Sequence, residues 1–126
     1  MSEKVTIDMS LLESLDVSWL GQIEEYLRGE RREFVGSLEQ EGTEFQKKVW
    51  RAISDIPYGE VMSYKEIAEK VGRSGAVRAV GTACGKNKLP IVVPCHRVVA
   101  SGGKLGGYAF GLEMKKKLLA LEGVVF

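Results

Sequence analysis

Two helix-start signatures twenty residues apart confine the middle of this 126-residue chain to short, separately capped helices. In Thr43-Glu44-Phe45-Gln46, the threonine oxygen can accept from the third backbone amide, while the glutamine reaches back to the threonine's own amide. Ser63-Tyr64-Lys65-Glu66 repeats the device. The first box opens a helix with Phe45, Val49, Ala52, Ile53 and Ile56 on one face, ended by Pro57-Tyr58-Gly59. The second opens a helix that buries Ile67, Ala68 and Val71 and stops at Gly72. Ser74 then caps a third helix, whose Ala76, Val77, Ala79, Val80 and Ala83 make a small-residue face. Two short helices across a tight glycine-containing turn form a helix-turn-helix pattern, which also serves elsewhere as plain scaffold. Its outer side would offer Arg73, Arg78, Lys86 and Lys88 to a duplex.

Apolar residues at Ile7, Leu11, Leu12, Leu15, Trp19, Ile23, Tyr26 and Leu27 step by three and four. The spacing predicts a helix over 7–28, broken near Gly21 and stopped at Gly29. Ile91-Val92-Val93 reads as a short buried strand ended by Pro94. The glycines at 102, 103, 106, 107 and 111 form a loop that either lets backbone approach a ligand or simply turns. A last helix runs from Leu112 to Leu121, with Gly123 as its cap. The fold class expected is mainly α with short β elements. A helix-turn-helix, winged-helix-like domain over 43–126 follows a short, acidic, mostly helical segment over 1–42.

Composition narrows the chemistry. No apolar run approaches the roughly 20 residues a spanning helix needs, and the first residues lack a basic stretch followed by an apolar one. Two cysteines and one histidine cannot form a disulfide scaffold or a zinc site built only from those residues. A reducing, cytoplasmic setting is expected. The net charge of +1 divides into −6 over residues 1–42 and +7 over residues 43–126. The second segment suits a polyanion and the first repels one. Gly81-Thr82-Ala83-Cys84-Gly85-Lys86-Asn87 is one residue short of a phosphate loop and lacks its terminal hydroxyl. The 102–107 glycines follow no βαβ pattern.

The densest chemistry is Pro94-Cys95-His96-Arg97, which sets the sole histidine beside a cysteine. A thiol attacks as thiolate, and neighbouring His, Arg or a helix N-terminus favours that form. Adjacent residues of an extended segment point to opposite sides, so a bent backbone or a bridging water would be needed to pass the proton. Composition alone favours an inert buried cysteine beside a structural histidine. Cys84 reads as a core residue, and a Cys84–Cys95 disulfide is not expected in a reducing setting.

Four collinear segments carry a resemblance: GTEFQKKVWRAISDIPYGEVMSYKEIA, AVRAVGTACGKN, PIVVPCHRVV and GGYAFGLEMKKKLLALEG. Residues 43–123 resemble the C-terminal, active domain of the O6-alkylguanine-DNA alkyltransferases, or methylated-DNA–protein-cysteine methyltransferases. The resemblance implies a single-turnover repair protein without cofactor or metal, active as a monomer on double-stranded DNA in the cytoplasm. It would flip an O6-alkylguanine out of the stack and take the alkyl group onto Cys95. His96 would act through water as the base, with Glu122 orienting and charge-stabilising it. Asn87 would hold the active-site turn, and Tyr64 would help turn the nucleotide out and hydrogen-bond the base. Arg78 would fill the gap left in the stack from the minor groove, where Ala76, Ala79, Gly81 and Thr82 permit close approach. Tyr108 would line the pocket, backbone near Val98 and Ala109 would read guanine, and Lys115 would lie nearby. O4-alkylthymine is a further possible substrate.

The chain also departs from the pattern. Only about 42 residues precede the match, where many relatives carry a β-sheet domain; QIEEYLRGERREF resembles the helix ending that domain. Lys88 stands where proline is frequent, and Phe110 is bulky for a pocket wall. Two other readings compete: a non-catalytic alkyltransferase-like module, whose relatives lack the cysteine, and a redox-sensing helix-turn-helix regulator.

Overall fold

The structure is a computed structural model that describes residues 7, 9–13 and 15–125, without the side chains of residues 9 and 11. Among these, the α-helices are α1 (Val17–Leu27), α2 (Glu44–Ser54), α3 (Tyr64–Lys70), α4 (Val77–Gly85) and α5 (Leu112–Leu121). Strands β1 (Met62–Ser63) and β2 (Val98–Val99) and 3-10 turns at Met9–Leu12 and Cys95–Arg97 complete the order. The chain is thus mostly helical with a two-stranded sheet.

Both capping boxes form reciprocally. The Gln46 amide donates to Thr43 Oγ1 and the Thr43 amide to Gln46 Oε1, each at 3.0 Å. The Glu66 amide donates to Ser63 Oγ at 3.0 Å, and the Ser63 amide to Glu66 Oε1 at 2.9 Å. Each box satisfies two amides that a helix N-terminus otherwise leaves open. α2 buries Val49, Trp50, Ala52 and Ile53. Trp50 Nε1 donates to the Ala83 carbonyl at 2.9 Å, which fastens α2 to α4. α3 and α4 pack as the helix-turn-helix pair. β1 runs parallel to β2, with Met62 opposite Val98 and Ser63 opposite Val99. That pairing sets the start of α3 beside the chain just after Cys95–Arg97.

Four sequence expectations are corrected. α1 is continuous through Gly21, where an added Cβ would meet nothing within 4 Å, so nothing there demands a break. The interruption falls before Asp16, whose carboxylate accepts from the Ser18 amide at 2.9 Å and starts a new helix. Gly29 does end α1, at φ +79°; the side chain of Leu11 lies outside the described residues. Ser74 is not a cap: the Ala76 amide donates to the Arg73 carbonyl at 2.9 Å, so Ser74 sits inside a turn and Ala76 flanks α4 without a side-chain bond. Of the small-residue face only Val80 and Ala83 are buried, while Val77 and Ala79 are exposed; Val71 is half-buried. Ile91-Val92-Val93 is buried but is a turn, with the Val93 amide on the Leu89 carbonyl at 2.9 Å and Ile91 at φ +71°. A β-branched residue tolerates that backbone only where its surroundings impose it.

Two apolar clusters flank this turn. One gathers α2, α3 and α4 around Val93, Cys95 and Val98. The other sets Leu12, Trp19, Ile23, Tyr26 and Leu27 against Ile91, Val92, Met114 and Leu118. Every residue from 90 to 99 is buried between them.

Candidate active site

Asn87, just past the end of α4, builds the turn. Its Nδ2 donates to the Val93 carbonyl at 3.0 Å and lies 3.4 Å from the Leu89 carbonyl. The same nitrogen reaches Cys95 Sγ at 3.3 Å. Its Oδ1 accepts from the Leu89 amide at 3.0 Å and from Gln40 Nε2 at 2.8 Å. Cys95 is almost wholly buried. The adjoining Cys84 thiol and then burial push its pKa well up, against the opposing pull of Asn87 and Lys115. The sulfur therefore rests as a thiol, and its activation needs a base.

His96 is completely buried, with Nε2 2.7 Å from Glu122 Oε2. A carboxylate only accepts, so Nε2 carries the proton and Nδ1 is the basic nitrogen. Nδ1 makes no hydrogen bond within the described protein. Burial lowers the His96 pKa, with Arg97 and Lys115 acting in the same direction and Glu122 against them. The imidazole is neutral at pH 7 and able to take a proton.

Glu122, the residue that flanks the end of α5, is held by several donors. Arg97 Nε reaches its Oε1 at 2.8 Å and Nη2 its Oε2 at 3.0 Å. The Gly59 amide adds a bond to Oε1 at 3.0 Å, and the Tyr26 hydroxyl one to Oε2 at 2.5 Å. Burial would raise this carboxyl, but the bonds from His96, Arg97 and Tyr26 outweigh it and hold it well below the ordinary carboxylate range. Arg97 Nη1 also donates to the Ile56 carbonyl at 2.7 Å, so the guanidinium ties this group to the end of α2.

A second set of residues borders the turn. Tyr64, first in α3 and half-buried, donates to the Gly107 carbonyl at 3.2 Å. Lys115 is buried and donates to the Val98 carbonyl at 2.6 Å and the Gly107 carbonyl at 2.9 Å. Burial lowers its amine to about 8. The Val98 amide donates to the Cys95 carbonyl, so both backbone groups of Val98 are engaged. Tyr108 packs 5.6 Å from Phe110, and its buried hydroxyl has no partner in the described protein. Ala109 is exposed. On α4, Arg78, Ala79 and Thr82 are exposed and Gly81 half-buried, as is Ala76 just before the helix. The structure thus brings Cys95, His96, Glu122 and Asn87 together and ranges Tyr64, Val98, Tyr108 and Lys115 around them. Arg78 and its small neighbours form a separate helix face.

Sequence reasoning missed Tyr26, Gly59 and Gln40. Tyr26 counted only as an apolar position in a helical stripe. Its hydroxyl was the available signal, since a buried tyrosine needs a partner. Among the described residues no cluster of three His, Cys, Asp or Glu could hold a metal, and no helix is long and apolar enough to cross a membrane.

Residues 44–124 match the family model described as the DNA-binding domain of 6-O-methylguanine DNA methyltransferase. The methylated-DNA–protein-cysteine methyltransferase of Mycolicibacterium paratuberculosis is 56% identical over 101 residues, covering 80% of this chain and 61% of that protein. The crystal structure of Mycobacterium tuberculosis OGT in complex with DNA superposes with a TM-score of 0.81 at 48% identity, covering 85% of this chain and 65% of that one. Schizosaccharomyces pombe Atl1, solved with damaged DNA containing O6-carboxymethylguanine, superposes at 0.59 with 39% identity over 68% of this chain and 82% of its own. The chain therefore spans less than two-thirds of the length of the methyltransferase relatives it matches first.

Proposed function

The chain belongs to the 6-O-methylguanine DNA methyltransferase family, and on that premise we propose that it repairs O6-alkylguanine in double-stranded DNA by moving the alkyl group onto Cys95. One observation carries the reading. Cys95 is followed in the chain by a neutral imidazole whose tautomer is forced by Glu122, so this base keeps an open lone pair on Nδ1. In the reaction the Cys95 proton passes to His96 Nδ1, by way of a water where the two do not touch. The thiolate then displaces guanine from the alkyl carbon. A sulfur–carbon bond forms, the carbon–O6 bond breaks, and the electron pair leaves with the base, which takes up the proton that His96 received from Cys95. The imidazolium formed is stabilised by the Glu122 carboxylate, itself neutralised by Arg97. The thioether has no route back to a thiol, so each molecule acts once.

Base flipping brings the O6 atom to a sulfur too deep for a stacked base to reach. Tyr64 and Tyr108 border the entry, and backbone near Val98 and Ala109 reads the base. Lys115 braces the Val98 and Gly107 carbonyls. Arg78, with the low relief of Ala76, Ala79, Gly81 and Thr82, meets the minor groove. Residues 43–126 form the alkyltransferase unit, and the acidic stretch that precedes it packs on it through α1. The protein works as a monomer in the cytoplasm, on DNA, without a cofactor. Phe110 narrows the pocket, so Phe110→Gly should raise the O6-benzylguanine rate relative to the methyl rate; an unchanged ratio removes that role.

The DNA itself gives the test. A duplex with one O6-methylguanine, mixed with a molar deficit of protein, should regain one guanine per protein molecule and then stop. Cys95→Ala should restore none. Selective lesion binding without restored guanine would instead favour the non-catalytic reading.

A further inference from the structure

We propose that Tyr26, on α1, is a positioning residue for the Cys95–His96–Glu122 group that acts through Glu122; the inference rests on the alkyl-transfer reading above. Its ring is fully buried, and its hydroxyl donates to Glu122 Oε2 at 2.5 Å and stands 3.4 Å from His96 Nε2. The same oxygen receives His96 Nε2 at 2.7 Å and Arg97 Nη2 at 3.0 Å. Three donors thus converge on one carboxylate oxygen. The phenol fixes where that oxygen sits, and hence the direction of the His96 ring. It also takes up, with Arg97, negative charge that would otherwise bear more on the imidazole. Burial pushes the phenol above its ordinary range, so it stays a donor and does not compete with His96 for protons.

Three other rings pack around the phenol. Phe34 lies 5.8 Å away, Tyr58 6.1 Å and His96 6.3 Å, centroid to centroid. The charged and titratable groups facing His96 are Lys115 from α5, Glu122 just past its end, Arg97 from its own turn and Tyr26 from α1. Tyr58 backs Tyr26, and Arg32 lies over Tyr58. Tyr26 lies upstream of the matched stretch 44–124. The N-terminal segment therefore contributes a side chain to the reacting group as well as covering the core.

His96 is the sole histidine, so its imidazole can be titrated without ambiguity by nitrogen NMR in the full chain. In Tyr26→Phe the carboxylate loses one donor and bears more on the imidazole. The His96 pKa should rise by about one unit, the scale of one hydrogen bond to a charged group. The acid limb of the single-turnover alkyl-transfer rate should move up by the same amount, with lesion-duplex affinity unchanged. Phe34→Leu loosens the same packing but keeps the hydroxyl, and should move neither. In the unsubstituted protein the Tyr26 hydroxyl proton should be visible and slow to exchange, a readout independent of how the Phe variant folds. An unmoved titration, a rate profile that fails to follow it, or a fast-exchanging hydroxyl each overturns the proposal. A wild-type protein that transfers no alkyl group refutes the reaction itself, while the titration still decides whether Tyr26 governs His96.

Discussion

At the scale of single residues, the site depends on buried polar groups that are mostly partnered, with His96 Nδ1 and the Tyr108 hydroxyl left open within the described protein. Asn87 bonds the Val93 carbonyl, the Leu89 amide and Cys95 Sγ. Asn87→Ala leaves these buried groups unpaired and should cost about 2–3 kcal/mol in chemical denaturation; a cost under about 1 kcal/mol would show that the turn holds itself. Lys115 gives a pH test. Its amine falls from 10.5 to about 8. Between those values the unfolded chain holds a proton the folded chain has released, so stability rises with pH across that window. Below about 8 both states are protonated and the folded one bears the whole cost of the buried cation. Relative to Lys115→Met, the wild type should gain on the order of 2 kcal/mol between pH 7 and pH 10. A constant difference between the two would mean the amine is not perturbed. Legibility at this scale was uneven. Cys95-His96 stands out as a dipeptide, whereas Glu122 lies 26 residues further on and only the family resemblance pointed to it. The three aliphatic residues Ile91–Val93 suggest a strand by composition. The bonds that bend them into a turn come from Asn87 and Leu89, outside the run.

At the scale of elements, local signals did well where the determinants are local. Both capping boxes, the stops at Gly29 and Gly72 and the bounds of α5 follow from neighbouring side chains. The β1–β2 pair was invisible because two residues carry no periodicity, and only the fold brings Met62 to Val98. The glycine loop offers a clean contrast. A Cβ at Gly106 (φ +76°) would sit 2.9 Å from Tyr64 Cε2 and 3.1 Å from the Ala100 amide nitrogen. At Gly102 and Gly103, with φ of +77° and +76°, it would meet nothing within 4 Å. All three alanine variants should lose about 1 kcal/mol to backbone strain. Gly106→Ala should also displace the Tyr64 ring and slow alkyl transfer severalfold, leaving affinity for undamaged duplex unchanged because the α4 face is untouched. Equal transfer rates in the three variants would remove Tyr64 from the reaction.

At the scale of the molecule, the reactive turn is the seam between two apolar clusters, one built on α2–α4 and one on α1 and α5. That placement buries Cys95 and keeps its thiol protonated. The net charges differ on the two sides: α1 belongs to the stretch of net charge −6, and the helix-turn-helix face to the stretch of net charge +7. The central claim is that Cys95 itself accepts the alkyl group. The most direct measurement is intact and peptide mass spectrometry after reaction with excess O6-methylguanine duplex. The account predicts one added methylene per chain, confined to the peptide containing Cys95 and absent in Cys95→Ala. An unmodified Cys95, or the added mass on Cys84, would contradict it.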